Sequence, residues 1–168
     1  DEFDATMYMR CYVHFTLFGE TIWAQGTAEQ YQAWAKKVRE MSVIGCFAMT
    51  ELGHSSFLRG LETVADYDRE RSEFVVNSPT LTSTKWWIGM AGHTATHTVA
   101  LAKCRINGEV KGLNWFIVPL RDPRSGRLLP GVSAGGIGAK FGKHGVDNGW
   151  IQFSQVRVPF FNMLSRWA

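Results

Sequence analysis

This sequence of 168 residues lacks several features that mark specialised classes of protein. No apolar run approaches the ~20 residues that a membrane-spanning helix needs, so no membrane partner is predicted. The three cysteines are far apart and form no CxxC pair, which argues against zinc ribbons and dithiol redox motifs and favours a reducing intracellular compartment. The net charge of +3 comes from scattered lysines and arginines, which gives no support for a nucleic-acid partner.

What the chain does have is an ordinary globular composition, with 45% apolar and 20% charged residues. Thr27 and Gln30 form a capping box, and apolar residues at helical spacing follow it, which predicts a helix over about 28–41. The earlier segment 5–18 follows Asp4 and stops at a glycine, as a capped helix would. Its aromatic and β-branched content also suits a strand.

From residue 44 onward, short strands alternate with turns. The predicted strands are 47–51, 61–68, 73–77, 97–106, 113–120 and 150–158. Asn107-Gly108 between two of them is a type I′ hairpin signal, because both positions tolerate positive φ. This pattern predicts a mainly β fold, an antiparallel β-barrel or sandwich preceded by a short α-helical segment.

Three stretches partly match known motifs for dinucleotide binding, nucleophilic catalysis or metal binding, but each lacks a required residue. In GGIGAKFG (135–142), the third glycine of a dinucleotide-binding loop would fall at Phe141. GHSSF (53–57) lacks the last glycine of a nucleophile elbow. His93 and His97 lack the metalloprotease glutamate between them, and on a strand they would lie roughly 13 Å apart. No metal site is therefore predicted.

Small, polar and aromatic residues gather at predicted strand ends, in the stretches 48–56, 85–92 and 140–149. Glycines there permit close backbone approach to a ligand, loop N–H groups can hold a phosphate, and tryptophan offers a flat face to a planar ring. The same residues also fit glycine turns and core tryptophans without a ligand. Glu51 and Glu62 lie among apolar strand residues, where either could face solvent, and neither is assigned as a base.

Taken in order, these stretches resemble the peroxisomal acyl-CoA oxidases, members of the acyl-CoA dehydrogenase superfamily. The matching motifs are GCFAMTELGHSS, RGLETVADYD, PTLTSTKWW, FIVPLRD, PGVSAGGIGAKFG, GVDNGWIQF and VRVPFFNMLSRWA. They cover about residues 45–168, with looser agreement over 28–41. The resemblance implies that 1–42 ends an N-terminal helical domain, that 43–160 is a middle β-barrel domain, and that 161–168 begins the connection to a C-terminal helical domain missing from this chain.

The resemblance also implies a cofactor, a substrate and their contacts. The expected FAD contacts are Thr50, Ser56, Trp87, Ile88 and Gly89. The expected contacts of the fatty acyl-CoA substrate are Gly53, His54 and Ser55. One tryptophan of the pair Trp86–Trp87 should pack in the barrel core, while its neighbour borders the flavin.

The implied reaction is α,β-dehydrogenation of a fatty acyl-CoA to trans-2-enoyl-CoA, with O2 reduced to H2O2, as the first step of peroxisomal fatty acid β-oxidation. The family's base is a glutamate of the C-terminal domain, beyond Ala168, so no catalytic residue is expected here and the chain by itself should be inactive. A homodimeric parent protein is implied. Two alternatives stay open: an acyl-CoA dehydrogenase, and a non-catalytic β-barrel binding module. The KWW and VDNG stretches favour the oxidase, because dehydrogenases more often have W-I-T.

Five positions depart from the family pattern. Ser55 stands where glycine is usual, and Phe57 replaces a small or polar residue. Ile88 and Met90 replace the proline and the second glycine of W-W-P-G-G, and His93 replaces a common lysine. The side chains at Ser55 and Met90 are the features that support a module without cofactor.

Overall fold

The computed structural model describes residues 4–168, which form a helical segment followed by two β-sheets. Residues 1–3, which belong to the segment 1–42 predicted as the end of an N-terminal helical domain, lie outside the described residues. The helices are α1 (Ala5–Cys11), α2 (Thr21–Gln25) and α3 (Ala28–Arg39), with a π-helical stretch, Tyr12–Glu20, joining the first two. Within the described part of the chain, no helix is both long enough and apolar enough to cross a membrane.

The first helical segment is longer than predicted. It begins after Asp4, whose carboxylate accepts a hydrogen bond from the N–H of Thr6 at 2.8 Å, and it continues through Gly19 into α2. A Cβ on Gly19 would lie 3.2 Å from Val38 Cγ1 on α3. The glycine therefore permits close helix packing and does not end the helix. The alternative of a strand over 5–18 is wrong.

The capping box at the start of α3 is confirmed. Thr27 Oγ1 accepts from the N–H of Gln30 at 3.2 Å, and Gln30 Oε1 accepts from the N–H of Thr27 at 2.9 Å. The helix ends at Arg39, slightly before the predicted end. Its buried face joins a core cluster made of Phe18, Ile22, Trp34, Val38, Val43, Val99, Ile117 and Leu164. This cluster fixes the helical segment on the larger sheet.

The strands predicted at 73–77 and 97–106 are confirmed, those predicted at 47–51, 61–68 and 113–120 differ from the structure by one to four residues at one or both ends, and two strands of the structure were not predicted. The strands of the structure are β1 (Gly45–Ala48), β2 (Val64–Asp68), β3 (Glu73–Asn77), β4 (Lys85–Ile88), β5 (His97–Ile106), β6 (Glu109–Pro119), β7 (Val132–Gly136), β8 (Gly149–Phe153) and β9 (Val156–Pro159). The hairpin turn between β5 and β6 is confirmed, with φ of +53° at Asn107 and +80° at Gly108. The single strand predicted over 150–158 is wrong, because the chain breaks into β8 and β9 before Gln155, whose φ is +54°.

Two sheets result from the strand pairing. The larger has the order β1-β5-β2-β3-β9, with β6 also paired to β5, and the smaller has the order β4-β8-β7. The predicted mainly β fold with a preceding helical segment is confirmed. A wholly antiparallel fold is wrong, because β1 and β2 both pair with β5 in parallel, which requires long connections and not hairpins. Over residues 4–168 the ladders give two sheets and not one closed ring.

One hydrophobic core lies between the two sheets. The larger sheet contributes Phe74 and Phe116, whose rings meet edge to face at 5.0 Å, and the smaller contributes Ile151 and Phe153. All four side chains are buried, and burial of each stabilises the fold by ~1.5–3 kcal/mol. The core holds β8 in place, and β8 in turn positions its neighbour β4.

Candidate functional site

A cleft of about 700 Å³ opens beside β4. Its walls are the first helical segment, the residues that follow β1, β4 itself and the loop 137–148 that precedes β8. The helical segment contributes Met9, Val13 and Leu17, so this wall is apolar. The volume lies within the range of small-molecule sites in proteins, ~300–1,000 Å³.

The double tryptophan of β4 does not alternate between two faces as a regular strand would. Trp87 has φ +63°, a left-handed conformation that is unusual for a bulky residue, and the pairing with β8 shifts between Lys85 and Ile88. Both Trp86 and Trp87 consequently line the cleft, and the Trp87 side chain is 58% exposed. The prediction that one tryptophan packs in the core is wrong; Ile88 takes that place, 2% exposed.

Thr50 follows β1 and lies directly beside β4. Its carbonyl accepts a hydrogen bond from the N–H of Trp86 at 3.0 Å, and its hydroxyl donates to the carbonyl of Trp86. Because the hydroxyl hydrogen is already used, Thr50 Oγ1 can meet a ligand only as an acceptor. The same two bonds tie the cleft's floor to the tryptophan pair.

Gly89 brings the helical segment close to β4. A Cβ at this position would lie 3.1 Å from Val13 Cγ2 and 3.8 Å from Val146 Cγ1. Gly89 lines the cleft, but the nearest atoms beside its missing side chain belong to the protein itself. Its small size is therefore needed for helix packing as well as for any ligand.

In the loop 53–56, one residue lines the cleft and the other three lie outside it. Ser55 lines the cleft, with φ +54°. Gly53 instead packs against Thr82, whose carbonyl accepts the Gly53 N–H at 2.9 Å. Of the predicted contacts, the structure brings together Thr50, Ser55, Trp87, Ile88 and Gly89. It leaves outside the cleft Gly53, His54 and Ser56.

A buried ion pair beneath the cleft was missed by sequence reasoning. Lys85 Nζ lies 2.9 Å from Glu51 Oε1, and both side chains are completely buried, so solvent exposure of Glu51 is wrong. The carboxylate also accepts from the N–H of Glu62 at 2.7 Å and from the hydroxyl of Thr63 at 2.6 Å. Burial by itself would raise the pKa of Glu51, but Lys85 and these hydrogen bonds outweigh it and hold that pKa below its ordinary value. Burial lowers the pKa of Lys85 to about 8, against the opposing effect of Glu51.

The ligating atoms of Glu51, His54 and Glu62 lie within 4.8 Å of one another, as in some metal sites. His54 Nε2 is 2.8 Å from Glu51 Oε2, and the Lys85 ammonium is bonded to the other carboxylate oxygen. A cation at Glu51 would have to sit beside that ammonium, which like charges disfavour. The arrangement therefore favours a structural role for this carboxylate.

The loop 137–148 is fastened across the cleft to α1. Arg10 donates to the carbonyl of Gly145 at 2.7 Å and to Thr94 Oγ1 at 2.9 Å, and it lies 3.2 Å from Asp147 Oδ1. These bonds hold the loop at the mouth of the cleft, where the Phe141 side chain is fully exposed. An exposed aromatic ring at a cleft mouth is available to a ligand.

Comparison with known proteins identifies the family. The family model for the acyl-CoA dehydrogenase middle domain matches residues 46–156, and that for the acyl-coenzyme A oxidase N-terminal region matches residues 3–44. The acyl-coenzyme A oxidase of Candida glabrata is 48% identical over 98% of this chain and 22% of its own length. This chain belongs to the acyl-CoA oxidase family. The resemblance read from its motifs is confirmed.

Solved acyl-CoA oxidases share the fold described above. The crystal structure of acyl-CoA oxidase 1 from Yarrowia lipolytica has a TM-score of 0.95 and 50% identity over 98% of this chain and 24% of that chain. Acyl-CoA oxidase-2 of Caenorhabditis elegans, solved with bound FAD, ascaroside-CoA and ATP, has a TM-score of 0.90 and 39% identity over 94% of this chain and 24% of that chain. The chain thus spans about a quarter of the length of the family members that it matches.

Proposed function

We propose that the protein containing this chain is an FAD-dependent acyl-CoA oxidase, which converts a fatty acyl-CoA to trans-2-enoyl-CoA and reduces O2 to H2O2. The observation that carries the proposal is the convergence of predicted ligand contacts in one cleft. Thr50, Ser55, Trp87, Ile88 and Gly89 come from separate stretches of the chain, and all of them line it. Because the chain spans only part of its relatives, the activity of the whole protein is inferred through the family.

The residues of the cleft fit FAD. Trp86 and Trp87 offer flat aromatic faces, and the wall formed by Val13 and its neighbours is apolar, as a planar isoalloxazine ring requires. Thr50 offers an acceptor oxygen at the cleft's floor. When bound, FAD would supply the hydride-accepting chemistry, while the protein groups bind it, orient it and exclude water.

The general base is proposed to come from outside this chain. Among the residues that the structure describes, Glu51 is the carboxylate that lines the cleft, but its side chain is completely buried and paired with Lys85. A base must reach the proton that it removes, and this carboxylate is held inward by several donors. We therefore propose that 1–42 is the end of a helical domain, that 43–160 is the middle β-domain, and that 161–168 is a connection to a further helical domain.

Other properties of the whole protein are proposed from the family alone. They are a peroxisomal location, a homodimeric state, fatty acyl-CoA as the substrate and O2 as the electron acceptor. The relatives described above are acyl-CoA oxidases, which supports the acyl-CoA oxidase activity itself. Of the three predicted substrate contacts, Ser55 lines the cleft, so we expect the acyl-CoA to bind at the part of the cleft next to Ser55.

The test begins with an FAD titration of the whole protein, in which FAD binding is monitored through the quenching of tryptophan fluorescence. Trp87→Leu should reduce the saturable quenching and raise the FAD concentration that gives half of it, whereas Trp167→Leu, a change at an exposed tryptophan outside the cleft, should leave that concentration unchanged. The protein is then incubated with acyl-CoA under air, and H2O2 is measured. Enoyl-CoA formed only with an added electron acceptor, and without H2O2, would establish a dehydrogenase. A folded protein without FAD binding or turnover would establish the non-catalytic module.

A further inference from the structure

We infer that the buried Lys85–Glu51 pair positions the cofactor-facing edge of the cleft by fixing β4 against the end of β1. This inference rests on the proposed function, because it concerns how the cleft holds FAD. Glu51 directly follows Thr50, and Lys85 directly precedes the tryptophan pair. A displacement of either partner is therefore passed to a cleft residue through a single peptide bond.

Lys85 ties three parts of the sheets together. Its Nζ donates to Glu51 Oε1 at 2.9 Å, to the carbonyl of Leu101 on β5 at 2.7 Å and to the carbonyl of Met49 after β1 at 3.3 Å. An ammonium has three donors, so each of its hydrogens has a partner. An aliphatic side chain at this position would lose all three links at once.

Glu51 is held independently of Lys85. Its oxygens accept from the N–H of Glu62 at 2.7 Å and from the N–H and hydroxyl of Thr63 at 3.1 and 2.6 Å. Its backbone is also fixed, because its N–H and carbonyl both bond to Ser55. The carboxylate is thus a rigid point, and the ion pair transfers its position to β4.

The conformation of Trp87 explains why such an anchor is needed. A left-handed φ of +63° costs on the order of 1–3 kcal/mol for a residue with a side chain, and it persists only where the surroundings impose it. Lys85 holds the chain on one side of Trp87, and Asn148 Nδ2 donates to the Trp87 carbonyl at 3.3 Å on the other. Without the anchor, β4 can relax toward regular alternation, which would turn Trp87 away from the cleft.

Stability alone is a weaker explanation for the pair. Buried ion pairs are often replaced by apolar residues without loss of stability, because the desolvation of both charges offsets their attraction. This pair adjoins Thr50 and Trp86, whose two mutual hydrogen bonds form the floor of the cleft.

The experiment compares Lys85→Met with Ile117→Ala in the whole protein. Ile117 is completely buried in the cluster beneath the helices and does not line the cleft, so its truncation provides a loss of stability without a loss of the anchor. At a temperature where both variants are folded, Lys85→Met should raise the FAD dissociation constant by about tenfold or more. Ile117→Ala should change it by less than about threefold, even if its melting temperature falls further.

A second readout separates positioning from simple weakening. The visible absorption bands of bound flavin should shift in Lys85→Met, because the tryptophan faces have moved, and should stay unchanged in Ile117→Ala. Glu51→Gln serves if Lys85→Met does not accumulate as folded protein; it removes the carboxylate charge and should raise the dissociation constant in the same direction. Unchanged FAD affinity and unchanged bands in the folded variant overturn this inference alone. Failure of the wild-type protein to bind FAD overturns the proposed function instead.

Discussion

Replacing Gly89 by alanine adds one methyl group that would lie 3.1 Å from Val13 Cγ2 and 3.7 Å from Val13 Cγ1. Carbon atoms in favourable contact are separated by about 3.5–4.0 Å, so Val13 has to move by a few tenths of an ångström. Overpacking a core typically destabilises by 1–3 kcal/mol, and this small overlap belongs at the lower end, about 1 kcal/mol. The loss should appear in the free energy of unfolding.

Val13→Ala supplies the partner for a double-mutant cycle. Val13 is 5% exposed, and the loss of two methyl groups should lower the free energy of unfolding by about 1.6 kcal/mol. In the double variant the added methyl occupies the space that Val13 vacates, so the combined loss should be smaller than the sum by about 0.5 kcal/mol or more. Losses that add to within about 0.3 kcal/mol would refute the contact between these two positions.

Gly89→Val extends the series from the packing contact to the ligand. The two further methyl groups would occupy the cleft, so the FAD content of the purified whole protein should fall much more than in Gly89→Ala. Valine suits a strand, but the contact with Val13 means that stability will also fall. Full FAD content in folded Gly89→Val, measured by flavin absorbance, would show that Gly89 does not face the flavin.

Three further predictions concern the core and its helices. Gly45→Ala should lower the melting temperature by more than Gly89→Ala, because its Cβ would lie 2.0 Å from the ring of Phe18; an equal loss would contradict the packing. Burial raises the pKa of the Cys46 thiol to about 12 from 9.0, so iodoacetamide at pH ~8 should label Cys11 and spare Cys46 until unfolding. The raised pKa also means that the free energy of unfolding should fall as the pH rises from 9.0 toward 12, because over that range the unfolded chain loses the Cys46 proton and the folded chain keeps it. Thr27→Ala should lower the free energy of unfolding by about 1 kcal/mol, and an unchanged value would show that the Thr27 cap does not stabilise α3.

Elements encoded by neighbouring residues could be predicted from the sequence. The bounds of β3 and β5, the turn at Asn107-Gly108 and the cap of α3 at Thr27 all depend on local backbone preferences. Gly19 shows where such signals become ambiguous. A glycine near the end of an amphipathic pattern can end a helix or admit a neighbouring helix, and only the position of Val38 decides between them.

Long-range pairing and buried charge could not be predicted in the same way. The parallel pairing of β1 and β2 with β5 joins residues far apart in sequence, and no turn signal encodes it. Lys85 and Glu51 are 34 residues apart, and lysine and glutamate are normally exposed, so local pattern places both on the surface. The family motifs located stretches whose residues line the cleft, but the left-handed φ of Trp87 follows from the tertiary structure.

Two departures from the family pattern fall where the backbone is left-handed. Ser55 has φ +54° and Met90 has φ +64°, at positions where the family usually has glycine, which adopts this conformation without the ~1–2 kcal/mol that other residues incur. The Met90 side chain is 2% exposed, and its burial contributes ~1.5–3 kcal/mol, enough to offset the strain. Ser55 is exposed and has no such compensation, but both of its backbone groups bond to Glu51. At Ser55 the chain thus keeps the backbone that glycine would favour because Glu51, which is held by Glu62 and Thr63, bonds to both backbone groups of Ser55.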